Sequence, residues 1–437
     1  MKILIKSATI VNSKNTILAD ILIENGRIAK LDRNIKENAD REIDAKDKFV
    51  LPGLIDLHAH LRTPGREDEE DLISGSCSAA KGGFTTILCM PNTNPCIDNE
   101  GVVEWIREES QKIGIVDIIP IGAITKERKG KELSEFGVLK KAGCLALSDD
   151  SDSIDDSYLF RRALEYAKMF NLLIISHCED KNLSSQGAMR ESLISAKYGM
   201  SSIPDIAETI RVFRDIEIAK YVNTKLHLAH ISCKKSIELI RREKETFPYL
   251  TCETSPHYFI LTVEDVEKSN FHANFKVNPP LGERNDVEEI RKAIKEGVID
   301  CIATDHAPHS FAEKEAPFEN APFGFVGLEL AFSLTYTYLV REKIISFNQL
   351  VEKLSYNPAN ILGLKDRGEI RKDAIADLII VDVNKSWQVI SKNLVSKSKN
   401  TPFLNSELMG LVELTIHQGK IVYEKPFFPS IDLSSGE

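Results

Sequence analysis

Asp56-Leu57-His58-Ala59-His60 closes a short apolar run, Ile55–His58, that reads as a β-strand. Side chains two residues apart on a strand share a face, with Cα atoms about 6–7 Å apart, so both imidazoles can converge on one metal at about 2.0–2.1 Å. Taken alone, His-x-His fits two unrelated histidines equally well. Further residues of metal-binding type close other apolar runs. Cys144–Leu147 leads into Ser148-Asp149-Asp150, Leu173–His177 ends at His177, Lys225–His230 at His230, and Asp300–Ala303 leads to Thr304-Asp305-His306. Together His58, His60, Asp150, His177, His230 and Asp305 offer four imidazoles and two carboxylates. One zinc needs fewer; two zincs sharing a bridge need about this many, and their chemistry is the activation of water. His227 lies three residues before His230, so only one of the two can face the site. His272 and His417 read as surface or β-domain residues, and His257, after the strand Leu250–Glu253, fits either role.

The elements that must hold these residues alternate. Strands at Ile55–His58, Thr85–Met90, Ile118–Ala123, Cys144–Leu147, Leu173–His177, Lys225–His230, Leu250–Glu253 and Asp300–Ala303 are separated by helical stretches such as Tyr158–Phe170, Ile206–Val222, Lys234–Glu245 and Val287–Glu296. Eight strands with intervening helices predict an α/β fold, a (β/α)8 TIM-like barrel over residues 52–364; an open doubly wound sheet is the alternative. Barrel enzymes keep their chemistry at the C-terminal ends of the strands, where these residues fall.

Both ends of the chain read differently. Lys2–Ile5, Ile21–Glu24 and Arg27–Leu31, with the turn Asn25-Gly26, form short alternating strands; so do Asp377–Val381, Leu414–His417 and Lys420–Tyr423. Residues 1–51 and 365–437 are therefore expected to pack as one small β-sandwich domain. Ser391–Asn400 is polar and reads as a surface loop of that domain.

Composition sets the limits. Among 437 residues, 56 Lys and Arg stand against 66 Asp and Glu, a net charge of −10. That balance argues against nucleic acid and anionic membranes as partners, but not against a small anionic substrate. Lys6, Ser7 and Asn12 interrupt the first apolar run, and no run reaches the roughly 18 residues of a membrane span, so neither a secretion signal nor a span is expected. The eight cysteines are dispersed without a Cys-x-x-Cys pair, which predicts free thiols and a cytoplasmic protein.

The stretch Pro52-Gly53-Leu54-Ile55-Asp56-Leu57-His58-Ala59-His60-Leu61-Arg62 resembles the first motif of the amidohydrolase superfamily, and Leu61-Arg62-x-Pro64-Gly65 narrows the likeness to dihydroorotases and related cyclic amidases. Met90-Pro91-Asn92-Thr93-Asn94-Pro95, His177-Cys178-Glu179-Asp180, Lys276-Val277-Asn278-Pro279-Pro280-Leu281 and Ala303-Thr304-Asp305-His306-Ala307-Pro308-His309 resemble the other dihydroorotase motifs, in order. Many cyclic amidases bridge their metals with a carboxylated lysine after strand 4. Here Lys140 and Lys141 precede that strand, and Asp149-Asp150 follow it, as in bacterial-type dihydroorotases with a bridging aspartate. Spacing to His177 matches Asp150 to the bridge and leaves Asp149 to support or cap the loop.

The resemblance implies reversible cyclisation of N-carbamoyl-L-aspartate to L-dihydroorotate plus water, a step of pyrimidine synthesis. It implies two zinc ions per subunit and Asp305 as the proton acceptor. Arg62, Asn92 and His309 match the family's contacts to the substrate carboxylate, and Asn278 matches a contact to the ring. An Arg two residues beyond a metal-type histidine also faces the barrel mouth, where its planar fork suits a carboxylate; the alternative pairs it with Glu67–Asp71. The Pro-punctuated segment Ser310–Gly324 reads either as a lid offering backbone groups near Gly324 to the ring or as a long loop that merely connects. Two departures, Gly282-Glu283-Arg284 after Leu281 and Tyr258 after His257, bear on substrate positioning. The rival readings are a hydantoinase or allantoinase, or a catalytically silent subunit that supports an aspartate transcarbamoylase. A homo-oligomer and a complex with that enzyme are both compatible with the resemblance, and the sequence does not choose an oligomeric state.

Overall fold

The computed structural model describes residues 2–428. Eight parallel strands form a ring: Leu54–Ala59, Phe84–Cys89, Asp117–Pro120 continued by Gly122–Ala123, Ala146–Ser148, Leu173–Ser176, Leu226–Leu228, Leu250–Thr254 and Cys301–Ile302. Each paired step joins strands adjacent in sequence. The ring closes where Ala59 bridges His306 and the His60 amide donates to the His306 carbonyl at 2.8 Å. A closed barrel thus replaces the open-sheet alternative. Its axis is filled by Ile55, Leu57, Leu88, Ile175 and Ala303, with Ala359, Ile361 and Leu362 of helix Asn357–Leu362 packed against them.

The outer helices follow from capping and periodicity. In Ser157–Met169, Asp156 caps the start by accepting from the Tyr158 and Leu159 amides, and Phe160, Ala163, Leu164 and Ala167 are buried at helical spacing. Burying Phe160 and Leu164 contributes about 1.5–3 kcal/mol each, and Leu164→Ala would cost about 2–5 kcal/mol. Helix Arg284–Glu296 is capped by Glu283 and buries Val287, Ile290, Ala293 and Ile294.

The two chain ends meet in one eight-stranded sheet. Lys2–Val11 pairs with Thr16–Glu24, which turns through Asn25 and Gly26 (φ 50° and 76°) into Arg27–Asp32; both turn residues take the left-handed backbone that an Asn-Gly hairpin supplies. Phe49–Pro52 joins the halves, pairing antiparallel with Leu378–Val381 of the long strand Leu378–Gln388, and Glu407–His417 and Lys420–Glu424 follow. Ile3, Ile5, Ile21, Leu378, Ile380 and Ile416 form the core under this sheet. Arg41–Asp44 and Phe49–Pro52 are strands that the periodicity alone does not reveal.

Ser391–Asn400 is not a surface loop. From Leu394 onward every second residue (Leu394, Ser396, Ser398, Asn400) is buried, and the segment runs as a strap onto the barrel mouth. The Ser396 and Val395 amides donate to Glu329, the Ser396 hydroxyl donates to Glu70, and the Ser398 hydroxyl donates to the Glu69 carbonyl at 2.6 Å. Its polar residues are there to satisfy buried acids, which composition cannot distinguish from solvation.

Candidate active site

His58, His60, Asp150, His177, His230 and Asp305 converge at the C-terminal end of the barrel, all buried. His58 Nε2 lies 3.4 Å from Asp150 Oδ1 and 3.6 Å from Asp305 Oδ1. His60 Nε2 lies 3.4 Å from Asp305 Oδ1 and 3.6 Å from Asp150 Oδ2. On the other side, His177 Nδ1 and His230 Nε2 each lie 3.4 Å from Asp150 Oδ1. A tetrahedral zinc with ligands at about 2.0–2.1 Å keeps neighbouring donors about 3.4 Å apart, which the histidine–aspartate spacings match, while His177 Nδ1 and His230 Nε2 stand closer together, at 2.8 Å. Asp150 turns Oδ2 toward His60 and Oδ1 toward His58, His177 and His230, so the one carboxylate reaches histidines on both sides of the cluster. His58 Nε2 is buried without a hydrogen-bond partner, as a nitrogen meant for a metal would be.

Two of these positions, and Arg62 beside them, carry backbone strain. His230 and Asp305 have φ of 34° and 48°, and Arg62 has 61°, left-handed values that cost side-chain-bearing residues energy and that cluster at functional sites. Carboxylate and amide oxygens fix the imidazole tautomers: His58 Nδ1 donates to Glu253 at 3.0 Å, His177 Nε2 to Glu179 at 2.8 Å and His60 Nδ1 to Asn92 at 2.9 Å.

The electrostatics follow the same arrangement. Burial opposes charge on His177, but the Asp150 and Glu179 carboxylates overcome it and lift the ring to about 9. His58 rises likewise, burial being overcome by Asp150, Glu253 and Asp305. Asp305 falls to about 2, because the hydrogen bond from His60 and the field of His58 and His230 outweigh burial. His60, where burial dominates, moves down.

A cavity of about 380 Å³ opens above the cluster. His60, Asp150, His177, His230 and Asp305 form its floor, and Arg62, Asn92, Asn278, His309 and Gly324 all stand in its walls. Arg62 does both things expected of it: it lines the cavity, and its Nε lies 3.0 Å from Glu69 within the acidic run. Asp149 faces away, accepting from the Thr125 amide at 3.0 Å and from its hydroxyl, and burial raises its carboxyl to about 6. Lys140 and Lys141 lie in helix Phe136–Ala142, before the fourth strand. His227 turns from the cavity to Thr251 and Glu253, and His417 is buried among the terminal strands. His272 is an exposed cap on the turn Ala273–Phe275. His257 is buried with Nε2 unpartnered, and burial drops it to about 3.

The segment Ser310–Gly324 carries one helical turn, Phe311–Lys314, set by a capping box of Ser310 and Glu313. Gly324 has φ 117°, and a Cβ there would meet the Ala307 Cβ at 2.5 Å, so only glycine lets the segment approach the site this closely. Lys314 and Lys276 tie it down through the Pro322 and Glu319 carbonyls. Of the two sequence departures, Gly282 opens helix Arg284–Glu296 against the Asp286 carboxylate. Tyr258 donates to the Pro279 carbonyl at 2.7 Å and so steadies the Asn278 turn.

Residues 47–236 match a family model described as dihydro-orotase-like, and residues 265–423 one described as amidohydrolase family. The chain is 46% identical to a dihydroorotase of Caldanaerobacter subterraneus subsp. tengcongensis, covering 97% of this chain and 98% of that one. It is 45% identical to a dihydroorotase of Endomicrobium trichonymphae, covering 97% and 100%. This chain belongs to the dihydroorotase family. Among solved structures, the L-hydantoinase (dihydropyrimidinase) of Arthrobacter aurescens superposes with a TM-score of 0.87 at 25% identity, covering 98% and 97% of the two chains. A dihydropyrimidinase of Brevibacillus agri superposes with a TM-score of 0.87 at 23% identity, over 98% and 96%, which bears on the fold alone.

As a dihydroorotase-family amidohydrolase the chain is a hydrolase of cyclic amides, and its His/Asp clusters form a metal site. No helix among the described residues is long and apolar enough to cross a membrane. Residue-by-residue reading overlooked the acids behind the site. Glu253 is the next-to-last residue of the seventh strand and Glu179 follows His177 by two, so each had a positional signal; Glu69 and Glu70 stood out only as part of the acidic run Glu67–Asp71, the alternative partner for Arg62.

Proposed function

We propose that this chain is a two-zinc dihydroorotase interconverting N-carbamoyl-L-aspartate and L-dihydroorotate. Asp150 carries the proposal, because its Oδ2 faces His60 and its Oδ1 faces His58, His177 and His230, so it reaches both proposed sets of ligands, where a carboxylated lysine would otherwise be needed. His58, His60 and Asp305 would hold one zinc, His177 and His230 the other, and Asp150 would bridge them. When bound, the zinc ions lower the pKa of a water to about 7 and polarise the ring carbonyl.

The chain's own groups do the rest. Asp305, ionised at neutral pH, takes the proton from the attacking water and delivers it to the ring nitrogen as the C–N bond breaks. Arg62, Asn92 and His309 hold the substrate's carboxylate, with the guanidinium giving the two-pronged contact. Asn278, whose amide donates to Glu179 at 3.0 Å, and the backbone at Gly324 contact the ring. In the synthetic direction two carboxylates become one, a proton is consumed, and lower pH favours the ring.

The reading assigns 52–364 to the catalytic barrel and 1–51 with 365–437 to the β domain. Eight free cysteines, all but Cys96 buried, support residence in the cytoplasm. Homo-oligomerisation or association with an aspartate transcarbamoylase is checked by measuring particle mass alone and in a mixture.

The deciding experiment assays hydrolysis of dihydroorotate, hydantoin and allantoin with metal analysis on the same sample. Dihydroorotate should turn over, exhaustive chelation should abolish turnover and zinc should restore it. Preference for hydantoin or allantoin, or full activity in a verified metal-free sample, would overturn the proposal.

A further inference from the structure

Arg62 and His309 approach the cavity from different elements, yet one carboxylate stands behind both. Glu69 Oε2 lies 3.0 Å from Arg62 Nε, and Glu69 Oε1 lies 2.8 Å from His309 Nδ1. Glu69 is 2% exposed and does not line the cavity, whereas Arg62 and His309 do. With its Nε also donating to the Pro308 carbonyl at 3.0 Å, Arg62 is held at the base of its fork, and its Nη2 reaches to 3.3 Å from His309 Nε2. The Glu69 backbone is pinned in turn: its amide donates to the Arg66 carbonyl at 3.0 Å and its carbonyl accepts from Ser398 at 2.6 Å. The neighbouring Glu70 serves different groups, facing His306 at 3.2 Å and accepting from the Lys397 amide at 3.0 Å.

We infer that Glu69 is a positioning residue for substrate recognition, setting Arg62 and His309 in register so that the guanidinium fork and the imidazole, whose Nε2 stands 2.7 Å from the Phe323 carbonyl at the cavity wall, meet one carboxylate. The inference rests on the proposed role of Arg62 and His309 as carboxylate contacts. A long Arg side chain and an imidazole each lose rotational freedom when they bind. A buried carboxylate that fixes both in advance removes that cost from substrate binding and leaves the reacting groups at the metal cluster untouched. Glu69 therefore acts on KM and hardly on kcat.

Glu69→Gln keeps the size but replaces one acceptor oxygen with a donor that repels the guanidinium. Steady-state kinetics should show KM for dihydroorotate raised about 10- to 100-fold, the usual loss for a charged hydrogen bond, with kcat within about threefold and zinc content unchanged. Glu69→Asp, which keeps the charge but cannot reach both partners, should raise KM less and serves if the Gln variant does not fold. Combined with Arg62→Met, Glu69→Gln should add much less than its separate factor, because the two act through one contact. A Glu69 variant with parental KM, a fall confined to kcat, or fully multiplicative effects would overturn the inference. An Arg62→Met variant with parental KM would instead overturn the carboxylate-contact reading beneath it.

Discussion

Glu253 Oε1 sits 3.0 Å from Nδ1 of His58, and that contact leaves His58 Nε2 facing Asp150 and Asp305. The same carboxylate meets His227 Nε2 at 3.2 Å, so a histidine outside the site anchors the acid that aims a histidine inside it. Burial works against its ionisation, but hydrogen bonds from His227 and His58 hold its carboxyl at about 2. Glu253→Gln should lower zinc affinity by about 10- to 100-fold, the usual effect of losing such a supporting acid. A chelator-competition titration reads this directly; parental affinity would make Glu253 a core residue only.

Asp305→Asn separates holding metal from moving a proton. The amide can still ligate through its carbonyl but cannot accept the proton, so metal content should survive while kcat falls by about 10²–10⁴. Metal analysis and kcat on one preparation check it. Parallel loss of both would reduce Asp305 to a ligand.

The neighbours Asp149 and Asp150 should behave oppositely. Asp150→Ala should lose metal, chiefly the ion relying on His177 and His230. Asp149→Ala should keep its metal but leave the Thr125 amide and hydroxyl unsatisfied, at about 1–3 kcal/mol of stability. Metal analysis with denaturant unfolding distinguishes the pair, and a metal deficit in the Asp149 variant would contradict the assignment.

Away from the site, His417 predicts a pH dependence of stability. Burial lowers its affinity for protons, but hydrogen bonds to Asp117 and Asp377 prevail and raise the ring to about 9. Against about 6.5 in the unfolded chain, the raised value stabilises the fold fully below pH 6.5 and is lost as pH rises toward 9. At most this amounts to on the order of 3 kcal/mol. His417→Gln should therefore flatten the dependence of Tm on pH across 6.5–9. An undiminished slope in the variant would assign that dependence to other groups.

How far the sequence alone leads depends on how local the determinant is. The eight barrel strands and the convergence of His58, His60, Asp150, His177, His230 and Asp305 were legible because each residue ends a strand, and strand ends share one rim. Helix Ile206–Val222 was legible to the residue because its periodicity is self-contained. Glu69 was legible only in part: the acidic run Glu67–Asp71 stood out as a partner for nearby Arg62, but its second partner, His309, lies on a loop more than two hundred residues away, and nothing in the run singles out one acid for it. The strap Leu394–Asn400 misled for a related reason. Its period-two burial is written in Ser and Asn, residues that look solvated until the buried Glu70 and Glu329 opposite them are known.

That strap also sets an order on the making of the enzyme. Ribosomes release the chain from its N-terminus, and folding proceeds as segments emerge. Every donor of the proposed metal site has emerged by Asp305. Gly324 and His309 receive their hold from Asn400 much later, when its amide donates to the Gly324 carbonyl at 3.1 Å and its side-chain oxygen accepts from the His309 amide at 3.2 Å. Phe49–Pro52 waits even longer in relative terms, presenting an unpaired edge from early in translation until Leu378–Val381 arrives to cover it. A nascent chain of this protein thus completes its set of metal-type donors before the contacts that hold the cavity wall exist, and Phe49–Pro52 lacks its partner strand until Leu378–Val381 is made.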